Sequence, residues 1–88
     1  MKRVDFDKTF IKHYKLRIQN QPKLSLQYDT RYRLFCSGAR GKPLNDHQLG
    51  GNKLGLRSFS ITSNIRVIYK ETSDAYVFLD VGTHNQVY

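Results

Sequence analysis

The apolar residues of this chain change their period once, and that single change limits the folds open to it. Before the change, Phe10, Ile11, Tyr14 and Ile18 recur at helical spacing, which predicts a helix over 7–17 with Asp7 as its N-cap. Gln19-Asn20-Gln21 is a polar break, and Pro22 suits the first turn of a second helix. Leu24, Tyr28, Tyr32 and Phe35 mark one face of that helix, which ends near Ser37-Gly38. The two helices form a hairpin. After the change, the period is two: 56–61 and 65–69 alternate as strands around a Thr62-Ser63-Asn64 turn. Residues 76–81 are almost continuously apolar, as in a strand covered on both faces, and Gly82 is expected to end it.

Between the two regimes lies a long connection, with glycines at 38, 41, 50, 51 and 55 and with Pro43, Asn45 and Asn52. Irregular stretches of that length in small domains are often functional. Arg3-Val4-Asp5-Phe6 reads as a short edge strand, giving the order β-α-α-β-β-β. The expected fold class is α+β: an antiparallel sheet packed on a two-helix hairpin, in one domain over 1–88. A chain this short buries only about 60% of its unfolded surface, so a stabilising partner is plausible.

Fifteen Lys and Arg against seven Asp and Glu leave a net charge of +8, which favours a polyanionic partner. The lone Cys36 excludes an internal disulfide and a cysteine-only metal site, and it points to a reducing compartment. No apolar run is long enough to span a membrane, and the N-terminus lacks a signal-peptide core. The expected location is cytoplasmic.

Paired carboxylates for two-metal hydrolysis are missing from the sequence, since Asp5, Asp7, Asp29, Asp46, Glu71, Asp74 and Asp80 are scattered. His13, His47 and His84 lack zinc spacing, so neither metal nor cofactor is expected. His13 falls on the solvent side of the first helix and is read as inert. What remains is a set of His, Arg and Tyr, which is sufficient to cleave RNA. The 2′-hydroxyl next to the scissile phosphate becomes the nucleophile when a base takes its proton. A fixed cation then stabilises the phosphoryl oxygens, and an acid protonates the departing 5′-oxygen.

The segments Asn45-Asp46-His47-Gln48-Leu49-Gly50, Gly55-Leu56-Arg57-Ser58, Arg66-Val67-Ile68-Tyr69 and Gly82-Thr83-His84-Asn85-Gln86-Val87-Tyr88 together resemble the RelE/YafQ-like toxins of type II toxin–antitoxin systems. That family carries a D-H-x-L-x-G loop, a G-x-R strand, an R-V-x-Y strand and a G-T-H-x-x-x-aromatic ending. The resemblance implies the RelE/ParE toxin fold, which is microbial ribonuclease-like. It also implies cleavage of messenger RNA on the ribosome and a cognate antitoxin that inhibits the toxin.

Residue by residue, the resemblance makes Arg66 the brace of the scissile phosphate, His84 an acid or base, Tyr88 a base-stacking or hydroxyl-assisting aromatic, and His47 the loop histidine. Arg57, Lys53, Ser58 and Ser60 are expected to contact RNA. Ser60 and Asn64 stand where YafQ-like members have a histidine and an aspartate. Strand parity puts Ser58 and Ser60 on one face and Arg57 with the apolar residues on the other. An extended tail would point His84, Gln86 and Tyr88 to one side. Two other readings share the fold: a ParE-like gyrase inhibitor without nuclease chemistry, and an inactive antitoxin-binding relative.

Overall fold

Asp7 ends one element and starts the next. Its backbone N–H donates to the Phe78 carbonyl at 2.9 Å, while its carboxylate accepts from the Thr9 N–H at 3.0 Å and caps the first helix. The computed structural model describes residues 2–88. In chain order the elements are β1 (Arg3–Phe6), α1 (Lys8–Arg17), α2 (Pro22–Cys36), β2 (His47–Gln48), β3 (Arg57–Ser60), β4 (Ile65–Glu71), β5 (Ala75–Thr83) and a one-turn helix α3 (His84–Val87). Gly38, at φ 96°, takes the left-handed conformation that stops α2, and the Ala39 N–H then turns back to the Leu34 carbonyl.

The sheet order is β1-β5-β4-β3-β2. Strands β2 to β5 pair antiparallel, and β1 lies parallel to β5, which makes the sheet mixed rather than wholly antiparallel. Strand β2 is a further departure from expectation. Two residues of the glycine-rich connection extend the sheet, pairing His47 with Ser58 and Gln48 with Arg57.

One face of the sheet carries the core, and the core is aromatic. Phe35 stacks on Phe59 at 4.9 Å and meets Tyr69 edge-on at 5.0 Å and Phe78 at 5.3 Å. Tyr14 of α1 meets Tyr28 of α2 at 5.0 Å and closes the hairpin. Large flat side chains with two rotatable bonds bury much area at low entropic cost, which suits a short chain. Burial drives the Tyr28 hydroxyl well above the ordinary tyrosine range, with the neighbouring Tyr32 and Tyr14 adding to it.

Strand β1 covers only part of its neighbour, from Ala75 to Phe78. Side chains of α1 serve the rest of that edge: Arg17 donates to the Val81 carbonyl at 2.9 Å, and His13 Nδ1 lies 2.6 Å from Asp80. His13 is therefore half-buried and partnered, not on the free solvent side of its helix. Gly82 continues the strand instead of ending it. A Cβ there would fall 2.6 Å from both Arg17 Nη1 and Gln86 Oε1, so a larger residue would displace the ends of the two side chains that bond to this stretch.

Candidate active site

Along β3 and β4 alternate residues face opposite ways, and cross-strand partners share a face: Ser58 with Ile68, and Ser60 with Arg66. On this second face both serines are buried, yet each hydroxyl is used. Arg66 Nε donates to Ser58 Oγ and Nη1 donates to Ser60 Oγ, both at 2.7 Å. Nη2 lies 3.3 Å from the Asn45 carbonyl and 3.3 Å from His47 Nδ1. Every partner is an uncharged group, or an imidazole that shares its nitrogen with a carbonyl. A guanidinium is planar and always charged, so this frame orients the cation without neutralising it.

His47 Nδ1 also lies 3.1 Å from the Asn45 carbonyl. With the Nδ1 hydrogen assigned to that carbonyl, the shorter contact, Nε2 is the acceptor in the neutral ring, and Arg66 Nη2 lies beside Nδ1 without bonding to it.

Tyr88 reaches the same network from the chain end, its hydroxyl donating to Ser58 Oγ at 2.9 Å. The tail is a helical turn rather than an extended strand. Thr83 and Gln86 form a capping box, with Gln86 Oε1 accepting from the Thr83 N–H at 2.8 Å. Gln86 consequently turns back toward the strand, whereas His84 and Tyr88, four residues apart, meet edge to face at 4.3 Å. His84 and Tyr88, expected to share one side of an extended tail, instead meet through helical spacing. His47, Lys53, His84 and Tyr88 line an open groove of about 390 Å³.

Arg57 sits apart from this groove. It faces the helices with its partner Tyr69, and its Nε donates to Asp46 at 2.8 Å. The Asp46 side chain is fully buried and also accepts from the Tyr69 hydroxyl at 2.5 Å. Burial pulls the Arg57 guanidinium down, but the bonds with Asp46 and Tyr69 more than offset it and leave it above its ordinary value. Burial and the Asp46 bond likewise push the Tyr69 hydroxyl well up.

The sequence reading singled out neither Asn45 nor Asp46 for a role. Arg57 on the apolar parity was the available signal for Asp46, because an arginine there requires a carboxylate. Nothing in the sequence marks a backbone carbonyl such as that of Asn45. Among the described residues, no three His, Cys, Asp or Glu side chains converge as a metal site.

The profile of the family described as "Bacterial toxin of type II toxin-antitoxin system, YafQ" matches residues 2–88. This chain is a member of the YafQ toxin family. The structures agree in fold. The crystal structure of YafQ from E. coli strain BL21(DE3) superposes with a TM-score of 0.83 at 22% identity, over 100% of this chain and 99% of that one. YafQ in the E. coli DinJ–YafQ complex gives 0.82 at 23% identity, over 100% of this chain and 99% of that one. A YoeB/ParE toxin from Agrobacterium tumefaciens gives 0.76 at 13% identity, over 93% of this chain and 98% of that one. No curated protein sequence matches at a significant level.

The protein is thus a type II toxin, built on an α+β fold shared with both YafQ and YoeB/ParE-type chains. The resemblance set Ser60 where a histidine was expected. The structure gives the serine a use of its own, as a ligand of Arg66.

Proposed function

We propose that this toxin is an endoribonuclease that cuts messenger RNA, with the ribosome holding the message, and so inhibits translation. The observation that carries the reading is Arg66: a positive charge fixed by two serine hydroxyls and a carbonyl, without an ion pair among the described residues, beside a groove lined by His47, His84 and Tyr88. A scissile phosphate on Arg66 would lie within the reach of both imidazoles. His47 Nε2 is the better placed base, because its other nitrogen is held by the Asn45 carbonyl.

The 2′-oxygen, once deprotonated, attacks phosphorus as the bond to the 5′-oxygen breaks. Arg66 stabilises the charge on the non-bridging oxygens, and His84 returns a proton to the leaving 5′-oxygen. The products are a 2′,3′-cyclic phosphate, which water can open to a 3′-phosphate, and a 5′-hydroxyl. Nothing in this sequence of steps calls on a metal. Tyr88 stacks on a base or steadies the ribose through its hydroxyl. Lys53 supplies positive charge at the rim of the groove, while Ser58 and Ser60 act through Arg66 and Arg57 holds the loop.

Ser58 and Ser60 brace the cation, which favours an active enzyme over an inactive antitoxin-binding relative. By analogy with the DinJ–YafQ complex, a cognate antitoxin is the expected protein partner. Mapping 5′-hydroxyl ends in a translating extract tests the proposal. New ends inside coding regions are expected with the wild-type toxin and not with Arg66→Ala. Intact messages together with cleaved DNA–gyrase complexes would replace the proposal with gyrase inhibition.

A further inference from the structure

A second cleft, of about 350 Å³, opens on the other side of Arg66 and is lined by Arg31, Lys42, Asn45, Ser60, Thr62 and Ser63 as well as Pro43. Two of these residues also hold Arg66: Ser60 through its hydroxyl and Asn45 through its carbonyl. The guanidinium frame is therefore a shared wall between groove and cleft. A phosphodiester seated on Arg66 continues in two directions, and the histidine groove accommodates one of them.

The chemistry of the cleft suits the other. None of the seven acidic residues lines it. Arg31 is pinned across its floor, with Nη1 donating to the Pro43 carbonyl at 3.2 Å and the Ser60 carbonyl at 3.3 Å, which leaves its charge unneutralised. Lys42 is exposed and makes no ion pair among the described residues. Thr62 Oγ1 accepts from the N–H groups of Asn64 and Ile65, so its own hydrogen is free to donate outward. A fixed cation, a mobile cation and hydroxyl donors are the equipment of a site for a backbone phosphate.

We infer that this cleft binds the phosphate adjacent to the scissile one on single-stranded RNA, on the side of Arg66 away from Tyr88. The inference rests on the ribonuclease reading and gives that site a second subsite.

Uncleavable 2′-O-methyl oligoribonucleotides two and six nucleotides long, the shorter carrying only the phosphate for Arg66, test it directly when titrated into the isotopically labelled toxin. Amide shifts are expected at Lys42, Asn45, Thr62 and Ser63 with the hexanucleotide. Lys42→Ala should weaken hexanucleotide binding about fivefold, lower the salt slope by about 0.7 as one lost phosphate contact requires, and leave the dinucleotide within about twofold. Ser63→Glu, a surface change, should do the same. Shifts confined to 47–53 and 84–88, or unchanged affinity in both variants, or no binding of either oligonucleotide, would overturn the inference. End mapping in extract reports independently on the ribonuclease reading: cuts retained at wild-type concentration dependence in Lys42→Ala would sink the subsite alone.

Discussion

Arg57 and Arg66 stand on adjacent strands of one sheet, and the two faces of that sheet use them in opposite ways. Toward the helices, Arg57 meets a buried carboxylate, and its charge goes into fastening the glycine-rich loop to the core through Asp46 and Tyr69. On the open face, Arg66 donates to two hydroxyls and a carbonyl beside the His47 ring, and these hold its position and leave its charge available. Placing a cation is thus separable from neutralising it. Arg40 resembles Arg57 in serving the fold, since it donates to the carbonyls of Phe35 and Ala39 and lies 3.9 Å over the Phe35 ring. Some of the fifteen basic residues therefore serve the fold, and a count of them overstates the surface left for RNA.

The sharpest way to break the contrast is to exchange the fates of the two arginines. Arg66→Ala should lower message cleavage by a hundredfold or more while thermal unfolding stays near wild type, because one preorganised donor to transition-state charge is lost. Arg66→Lys should recover little, as an ammonium cannot fill a planar frame built by two serines. Equal melting and full cleavage in Arg66→Ala would make the residue ornamental to the chemistry.

Arg57→Ala should do the reverse. Removing one partner leaves the buried Asp46 carboxylate with the Tyr69 hydroxyl alone, at a cost of about 2 kcal/mol after allowance for the partial exposure of Arg57. Denaturant unfolding measures that loss, and cleavage per folded molecule should change little. A large fall in turnover with unchanged stability would transfer Arg57 to the catalytic face.

Smaller effects are expected where the open face is only adjusted. Tyr88→Phe keeps the ring against His84 but removes the bond to Ser58, so cleavage should fall about tenfold or less, with a stability change of about 1 kcal/mol at most. Deleting Tyr88 should cost most of the activity. Full activity in the deletion would end its assignment.

The smallest effect is a pH slope confined to the helix-packed face. The Tyr69 hydroxyl titrates above its ordinary value of 10.0 in the folded protein, so the native state retains a proton that the unfolded chain releases. Its contribution to stability is complete below about pH 10 and declines as pH rises through that value. Tyr69→Phe should flatten the alkaline limb of an unfolding profile measured between pH 8 and about 11. An unchanged limb would detach Tyr69 from the Asp46 lock.

Periodicity alone determined the two helices, the three-stranded meander and the parity that separates Ser58 and Ser60 from Phe59 and Ile61. These follow from nearest-neighbour geometry, in which 3.6-residue and two-residue repeats each sort side chains onto faces. The motif order also named Arg66, His47, His84 and Tyr88 before any coordinates. What the tertiary structure decided lies at the junctions between elements. It seated β1 parallel on β5, converted His47-Gln48 into a strand, and wound the tail into a turn that brings His84 and Tyr88 together. It also assigned the partners, giving Asp46 to Arg57 and the two serines with the Asn45 carbonyl to Arg66. Partnerships of that kind join residues 11 to 21 positions apart, or 6 to 8 across a hairpin, and depend on register and loop path, which no local period encodes.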